Sequence, residues 1–288
     1  MKRLLFLSII LTGFLFSCSS DDNGGETATD PDPDPDPVPQ IAYVDKIVST
    51  SSSGSTELRF VYDDDNKLVR NETDEYFRQF TYEGNNITKI ESVTLPNTPY
   101  YTIEFDYDSS SRVMEVRRTN HHNGTIFFIT YEYNTGGNIG KVCVYSNMDD
   151  YNAAICDRYY DFAYVGGTTN YAEKTLYQIN GGFPDVLEAS TWTYDTNESP
   201  YFGEAISRIQ LPYATDGTGM DWEYLYNDNN PLSKYIFDFI SNESKLRRDF
   251  QYQYNEEGKP TERIITSYDI FTGEVTSVFT QNFSYVLR

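Results

Sequence analysis

The sequence predicts an all-β fold: an antiparallel meander of repeated β-hairpins, about sixteen strands, curled into a barrel-like or two-layer sheet. Three observations carry this. An aromatic-x-aromatic phrase recurs down the chain, polar clumps rich in Gly, Asn and Asp follow it, and no segment has a capped 3.6-residue period. Tyrosine at 26 and phenylalanine at 18, with few leucines, favour strands over helices.

The repeat is anchored on Tyr62, Tyr82, Tyr107, Tyr133, Tyr164, Tyr194, Tyr226, Tyr254 and Tyr285, spaced 20 to 32 residues apart. Each copy opens on a pair such as Phe60/Tyr62, Phe80/Tyr82, Phe105/Tyr107, Tyr131/Tyr133, Phe162/Tyr164 or Trp192/Tyr194, then Trp222/Tyr224, Phe250/Tyr252 and Phe283/Tyr285. Residues two apart share one face of a strand, so each pair marks an aromatic face. The residues between them, such as Thr81, Asp106 and Glu132, mark a wet one. Clumps such as "DDDN", "EGNN" and "NEEG" supply residues that tolerate the positive φ of tight turns. Apolar residues resume afterwards, as at Ile87 and Ile90 or Val113 and Val116. Each repeat therefore reads as one hairpin, and sixteen or so strands in one flat sheet would be unusual, so closure or layering is expected.

The N-terminus divides into a signal peptide over 1–17, an acidic tether over 18–40 and a single repeat-built domain over 41–288. Lys2 and Arg3 precede the apolar run "LLFLSIILTGFLF", which is of signal-peptide length and is interrupted by Ser8, Thr12 and Gly13. The run ends at "LFSC", Leu15 to Cys18, which resembles the lipobox of bacterial lipoproteins. That resemblance implies cleavage before Cys18 and a diacylglycerol on its thiol; an ordinary secretory signal with a chance cysteine is the alternative. The following "SSDD" resembles the surface-export signal of Bacteroidetes-type lipoproteins, which implies an outer-membrane lipoprotein exposed on the cell surface. A plain acidic spacer, with the domain on the periplasmic face, is the other reading. The Asp-Pro run cannot form a helix, and at about 3.1 Å per residue the segment 19–39 reaches on the order of 65 Å.

The phrase F-x-Y-[DEN]-x-x-[GN]-x-[IL]-x-[KR]-[IV] is similar to the tyrosine-aspartate repeats of RHS-type proteins. It is more similar still to Bacteroidetes lipoprotein families of unknown function whose domain is described as porin-like. The likeness spans residues 58–288 and implies a soluble barrel-like meander with no known activity. Tyr164, followed by "VGGTTN", and Tyr194, followed by "DTNESPYFGEAI", depart from the phrase. A membrane-spanning barrel would alternate in the same way, but the acidic tether, sparse aliphatic residues and the ending "FSYVLR" oppose it.

Formal charge is −22, and removing Lys2 and Arg3 with the signal takes it to −24. Such a surface repels nucleic acid and anionic lipid alike, leaving the Cys18 anchor as the membrane contact and a glycan or protein as the partner. Of the three cysteines, Cys143 and Cys156 remain after lipidation. If the chain reverses near Asp149 and Asp150 they fall at mirror positions on adjacent strands, so a disulfide or two buried thiols both fit.

No cofactor is required by the sequence. The acids Asp63, Asp64, Asp65 and Asp228 offer oxygen ligands to calcium, against a reading as solvated hairpin tips. Trp192 and Trp222 offer sugar-stacking rings, against a reading as core. His121 and His122 are the only histidines; adjacent strand residues point to opposite faces, so they read as exposed turn residues and not as a metal pair. Neither has a nucleophile at sequence spacing, and no carboxylate pair stands out for glycoside hydrolysis. The expected function is a non-catalytic scaffold or binding lipoprotein, with a glycan- or calcium-binding module of an uptake or adhesion system as the alternative.

Overall fold

The protein is described here by a computed structural model, in which residues 41–201 and 227–288 are described. Those residues form sixteen strands: β1 (Ala42–Ser51), β2 (Gly54–Tyr62), β3 (Leu68–Glu72), β4 (Tyr76–Glu83), β5 (Asn86–Thr94), β6 (Thr98–Tyr107), β7 (Val113–Asn120) and β8 (Ile126–Tyr133), then β9 (Ile139–Tyr145), β10 (Arg158–Tyr164), β11 (Tyr171–Asn180), β12 (Phe183–Glu198), β13 (Asn229–Asp238), β14 (Glu243–Tyr254), β15 (Pro260–Tyr268) and β16 (Val275–Leu287). One short helix, α1 (Met148–Asn152), lies between β9 and β10. Each strand pairs antiparallel with its sequence neighbours, and β1 pairs with β16, so the meander closes into a barrel. Of the two architectures the sequence allowed, closure is the one adopted, and it removes every unpaired edge.

Turn chemistry accounts for the polar clumps. Asp63 Oδ1 accepts from the backbone N–H of Asp65 at 3.0 Å and of Lys67 at 2.8 Å, while Asn66 takes a φ of 62°. Asp108, Asn134 and Asn255 cap their turns in the same way, with Ser111, Gly137 and Gly258 at positive φ. An Asx residue first and a left-handed residue fourth is thus the rule for the longer turns. The "EGNN" turn is tighter: Glu83 pairs with Asn86, and Gly84 takes a φ of 59°.

After the turns that follow Tyr62, Tyr82, Tyr107, Tyr133, Tyr164 and Tyr254 the return strand carries one extra residue. Pairing steps from Thr81↔Lys89 to Tyr82↔Ile87 and skips Thr88; the same shift skips Val69, Met114, Gly140, Ala172 and Thr261. This bulge explains why Ile87 and Ile90, three residues apart, are both buried in a strand where a period of two would separate them. The first aromatics of the phrase, Phe60, Phe80, Phe105, Tyr131, Phe162, Trp192 and Phe283, are all buried within one apolar core. Near the end of β14 the phrase is shifted from its sequence assignment: the bulge falls at Tyr254, so the pair is Tyr252/Tyr254, with rings stacked at 5.8 Å, and not Phe250/Tyr252.

The outer face is charged. Glu57 pairs with Lys46 at 3.4 Å and Arg59 at 2.6 Å, Arg70 with Glu72 at 2.7 Å, Lys89 with Glu91 at 3.0 Å, and Arg117 with Glu104. Further round, Gln253 donates to Glu262 at 2.7 Å. A barrel spanning lipid needs the reverse, apolar side chains outward.

Cys143 and Cys156 form a disulfide with a Cα–Cα distance of 5.8 Å. The expected mirror placement on two strands is corrected: Cys143 lies on β9, but Cys156 lies in the connection after α1. Asn147 caps that helix by accepting from the Asp150 N–H at 2.9 Å, which replaces the simple reversal expected near Asp149 and Asp150. Outside the barrel wall, Phe128 stacks on Tyr151 at 4.5 Å, and Phe128, Cys143 and Tyr145 form a small second core.

Candidate functional site at the break in the tyrosine girdle

The second aromatic of the phrase has its own task. Tyr82 Oη donates to the Leu68 carbonyl at 2.8 Å, and Leu68 is the strand partner of Tyr62. Tyr107 reaches Ile87 at 2.6 Å, Tyr133 reaches Val113 at 2.8 Å and Tyr164 reaches Ile139 at 2.7 Å. In every case the acceptor pairs with the tyrosine one repeat earlier. The chain of bonds crosses the closure too: Tyr62 reaches Val44 at 2.9 Å, the partner of Tyr285, and Tyr285 reaches Pro260 at 2.8 Å. These six bonds form a girdle at the rim where even-numbered strands end and Ile41 meets Arg288. The bulge gives each Tyr a return-strand carbonyl that the ladder leaves for the next hairpin's hydroxyl.

Between β11 and β14 the girdle breaks. Tyr194 Oη donates to the side chain of Asn227 at 3.1 Å, and Tyr254 Oη donates to Asp195. Burial and the Asp195 carboxylate together hold the Tyr254 phenol well above its ordinary pKa, so it stays a neutral donor. Asp195 Oδ1 also accepts from the N–H of Asn197 at 3.0 Å and of Asn230 at 3.2 Å. Asn170 and Asn229 exchange two bonds, at 2.8 and 3.0 Å, and Asn229 reaches the Asn197 carbonyl at 3.0 Å. Asn227 and Asn230 are each 1% exposed, and the Asn227 amide nitrogen has no hydrogen-bond partner among the described residues. Where the rest of the rim uses phenol to carbonyl, this sector uses a buried amide and carboxylate lattice. It brackets the excursion from β12 to β13, and at the near end of that excursion Tyr201 is buried with its ring centroid 6.2 Å from that of Phe60 on β2.

The residues singled out from sequence fall as follows. Cys18 and Trp222 lie outside the described residues. Asp228 belongs to the lattice, but both its oxygens are taken by Thr169, from Oγ1 at 2.7 Å and N–H at 2.9 Å. Asp63 is a turn cap, and Asp64 and Asp65 are exposed beside it, on a different turn from Asp228. Among the described residues no group of three or more His, Cys, Asp or Glu is placed to hold a metal ion. Of the two readings of Trp192, core is the one the structure adopts: it is buried, with the Lys234 ammonium 5.0 Å from its ring centroid. His121 Nε2 meets Thr102 Oγ1 at 2.7 Å, and His122 is an exposed turn residue. Sequence reasoning missed Asp195, Asn170, Asn227 and Asn230, whose only signal was that the phrase fails around them.

No protein-family model matches the chain, and no curated protein does. Solved structures do. A porin-like protein from Bacteroides vulgatus aligns with a TM-score of 0.53 at 12% identity, over 85% of this chain and 99% of that one. A porin-like protein from Bacteroides uniformis aligns with a TM-score of 0.51 at 11% identity, over 84% of this chain and 98% of that one. The class defined by the fold is therefore the closed sixteen-stranded antiparallel barrel that these porin-like proteins share. A chain of the TcdB2–TccC3–TEV complex aligns with a TM-score of only 0.30, which carries no argument for kinship with RHS-type repeats.

Proposed function

We propose that the chain is a water-soluble barrel held at the outer face of the outer membrane by a lipid on Cys18, where it serves as a non-catalytic scaffold or binding module. One observation carries this reading: charged pairs face outward while the aromatic layer inside is buried. A transport pore of sixteen strands needs a polar, water-filled lumen and an apolar exterior, and both requirements run against this arrangement. Against a calcium-binding role, Asp63 Oδ1 and both Asp228 oxygens already accept from backbone and threonine donors, and Asp63 and Asp228 stand on different turns.

The test is fractionation of cells producing the chain and Cys18→Ser. The original chain should partition into detergent, carry a diacylglycerol by mass spectrometry and be digested by protease added to intact cells. Cys18→Ser should appear in the aqueous phase. A Cys18→Ser protein that still needs detergent, or that conducts ions in a planar bilayer, would overturn the reading.

A further inference from the structure

Three neighbouring hairpins, β11–β12, β13–β14 and β15–β16, end on the rim opposite the girdle. Their tips carry the three most exposed aromatic rings among the described residues: Phe183 at 75%, Phe271 at 69% and Phe239 at 54%. Ile240, beside Phe239, is 88% exposed, and Leu187 and Val275 extend the apolar surface down the arms. Scattered apolar residues are ordinary on a surface, but a run across adjacent tips is not.

An acid stands at the base of each tip. Asp238 accepts from the Ile240 N–H at 2.9 Å and Ser241 Oγ at 2.7 Å, and Asp269 accepts from the N–H groups of Phe271 and Thr272, both at 2.8 Å. Asp185 accepts from the Asn180 amide at 2.7 Å. These bonds hold the Asp238 and Asp269 carboxyls below their ordinary pKa, so the charge persists beside the apolar group. The bases nearby are engaged: Lys245 pairs with Glu243 at 3.1 Å, and Arg247 donates to the Tyr268 carbonyl.

We propose that this rim docks a protein segment whose apolar side chains are interspersed with Lys or Arg, each exposed ring taking an apolar residue and the Asp185 and Asp269 carboxylates taking the cations, while Asp238, 7% exposed, is committed to its own turn. Charge decides between this occupant and the others. A second copy would set these acids against their like, on a chain of net charge −22. An anionic bilayer would be repelled by the same carboxylates. The inference deepens the binding reading of the barrel and is independent of whether Cys18 carries lipid.

The test uses the full chain carrying Cys18→Ser, which removes the anchor from the measurement. The probes are a fluorescent amphipathic peptide of Leu and Lys and its Leu/Glu counterpart, read by anisotropy near physiological salt. The Leu/Lys peptide should bind about ten-fold tighter or more. Phe183→Ser/Ile240→Ser/Phe271→Ser should lose about ten-fold in affinity, with Met114→Ser, on the outer face of β7, unchanged. Asp185→Asn/Asp269→Asn, which keeps the carbonyl acceptors, should weaken binding a few-fold and flatten its salt dependence. Equal affinity of the triple variant overturns the proposal. So does self-association, or binding to phosphatidylglycerol vesicles, that the triple variant abolishes.

Discussion

From β2 to β10 the hydroxyl of each girdle tyrosine finds a carbonyl of the hairpin before it, whereas between β11 and β14 Tyr194 and Tyr254 find the side chains of Asn227 and Asp195. The first sector repeats one solution, although its repeats differ in length and in turn, because each return strand carries the same one-residue shift beside its tyrosine. In the second, 30 residues of sequence separate Glu198 at the end of β12 from Asn229 at the start of β13. Side chains then supply the acceptors that the backbone no longer brings within reach. Ion pairs occur in both sectors, but the most exposed aromatic tips gather on the irregular side. The difference teaches that the repeat specifies a scaffold and that its interruption is where the surface is free to specialise.

Breaking the comparison begins with the interior. If the break is confined to the rim, Phe80→Ala in the regular sector and Trp192→Ala in the irregular one should cost alike, about 3–5 kcal/mol each in urea denaturation. A Trp192→Ala cost under half that of Phe80→Ala would mean that the irregularity reaches the core. Next in size, Cys143→Ser/Cys156→Ser should remove about 3 kcal/mol, from the unfolded-state entropy of a short closed loop, and reducing agent should reproduce the loss in the original chain. A smaller effect is expected at the lattice. Asp195→Ala leaves the Tyr254 hydroxyl and the partly buried N–H groups of Asn197 and Asn230 without their acceptor and should cost about 2 kcal/mol, against about 1 kcal/mol for Tyr133→Phe in the girdle. Equal costs would show that the lattice is no more cooperative than a girdle bond.

The smallest effect is one of pH. The Arg112 N–H and guanidinium, with the Ser110 N–H, hold the exposed Asp108 carboxyl below its ordinary pKa. Its contribution is therefore present above the unfolded-state pKa, near 4, and is lost as pH falls through the lower folded value. Asp108→Asn should flatten that acid limb of the stability curve, and an unchanged limb would assign it to other carboxylates.

Much of the barrel was legible because it is written locally. Phe80 and Tyr82 announce a strand face, and Glu83 to Asn86 a tight turn. The bulge was present in the sequence as well, in the spacing of Ile87 and Ile90, but an i, i+3 pair reads as irregular until the skipped Thr88 is seen. Two misreadings have clear causes. "FQYQY" offers two aromatic registers, Phe250/Tyr252 and Tyr252/Tyr254, and only the bulge selects the second. Helix α1, at five residues, is too short to establish a period, so the segment between the cysteines read as a plain reversal. The lattice around Asp195 was invisible for another reason: Asn and Asp in a break read as solvated loop, and burial is not a local property.

The sequence by itself determined the hairpins, their turns and which face of each strand is apolar, since those follow from side-chain period and from residues that tolerate positive φ. Only the tertiary structure decided that the meander closes through β1 and β16, that each tyrosine bonds one repeat back, and that Asn227 and Asp195 take over where the repeat fails. Those outcomes join groups from 14 to more than 200 residues apart, and such pairings are chosen by how whole hairpins pack together.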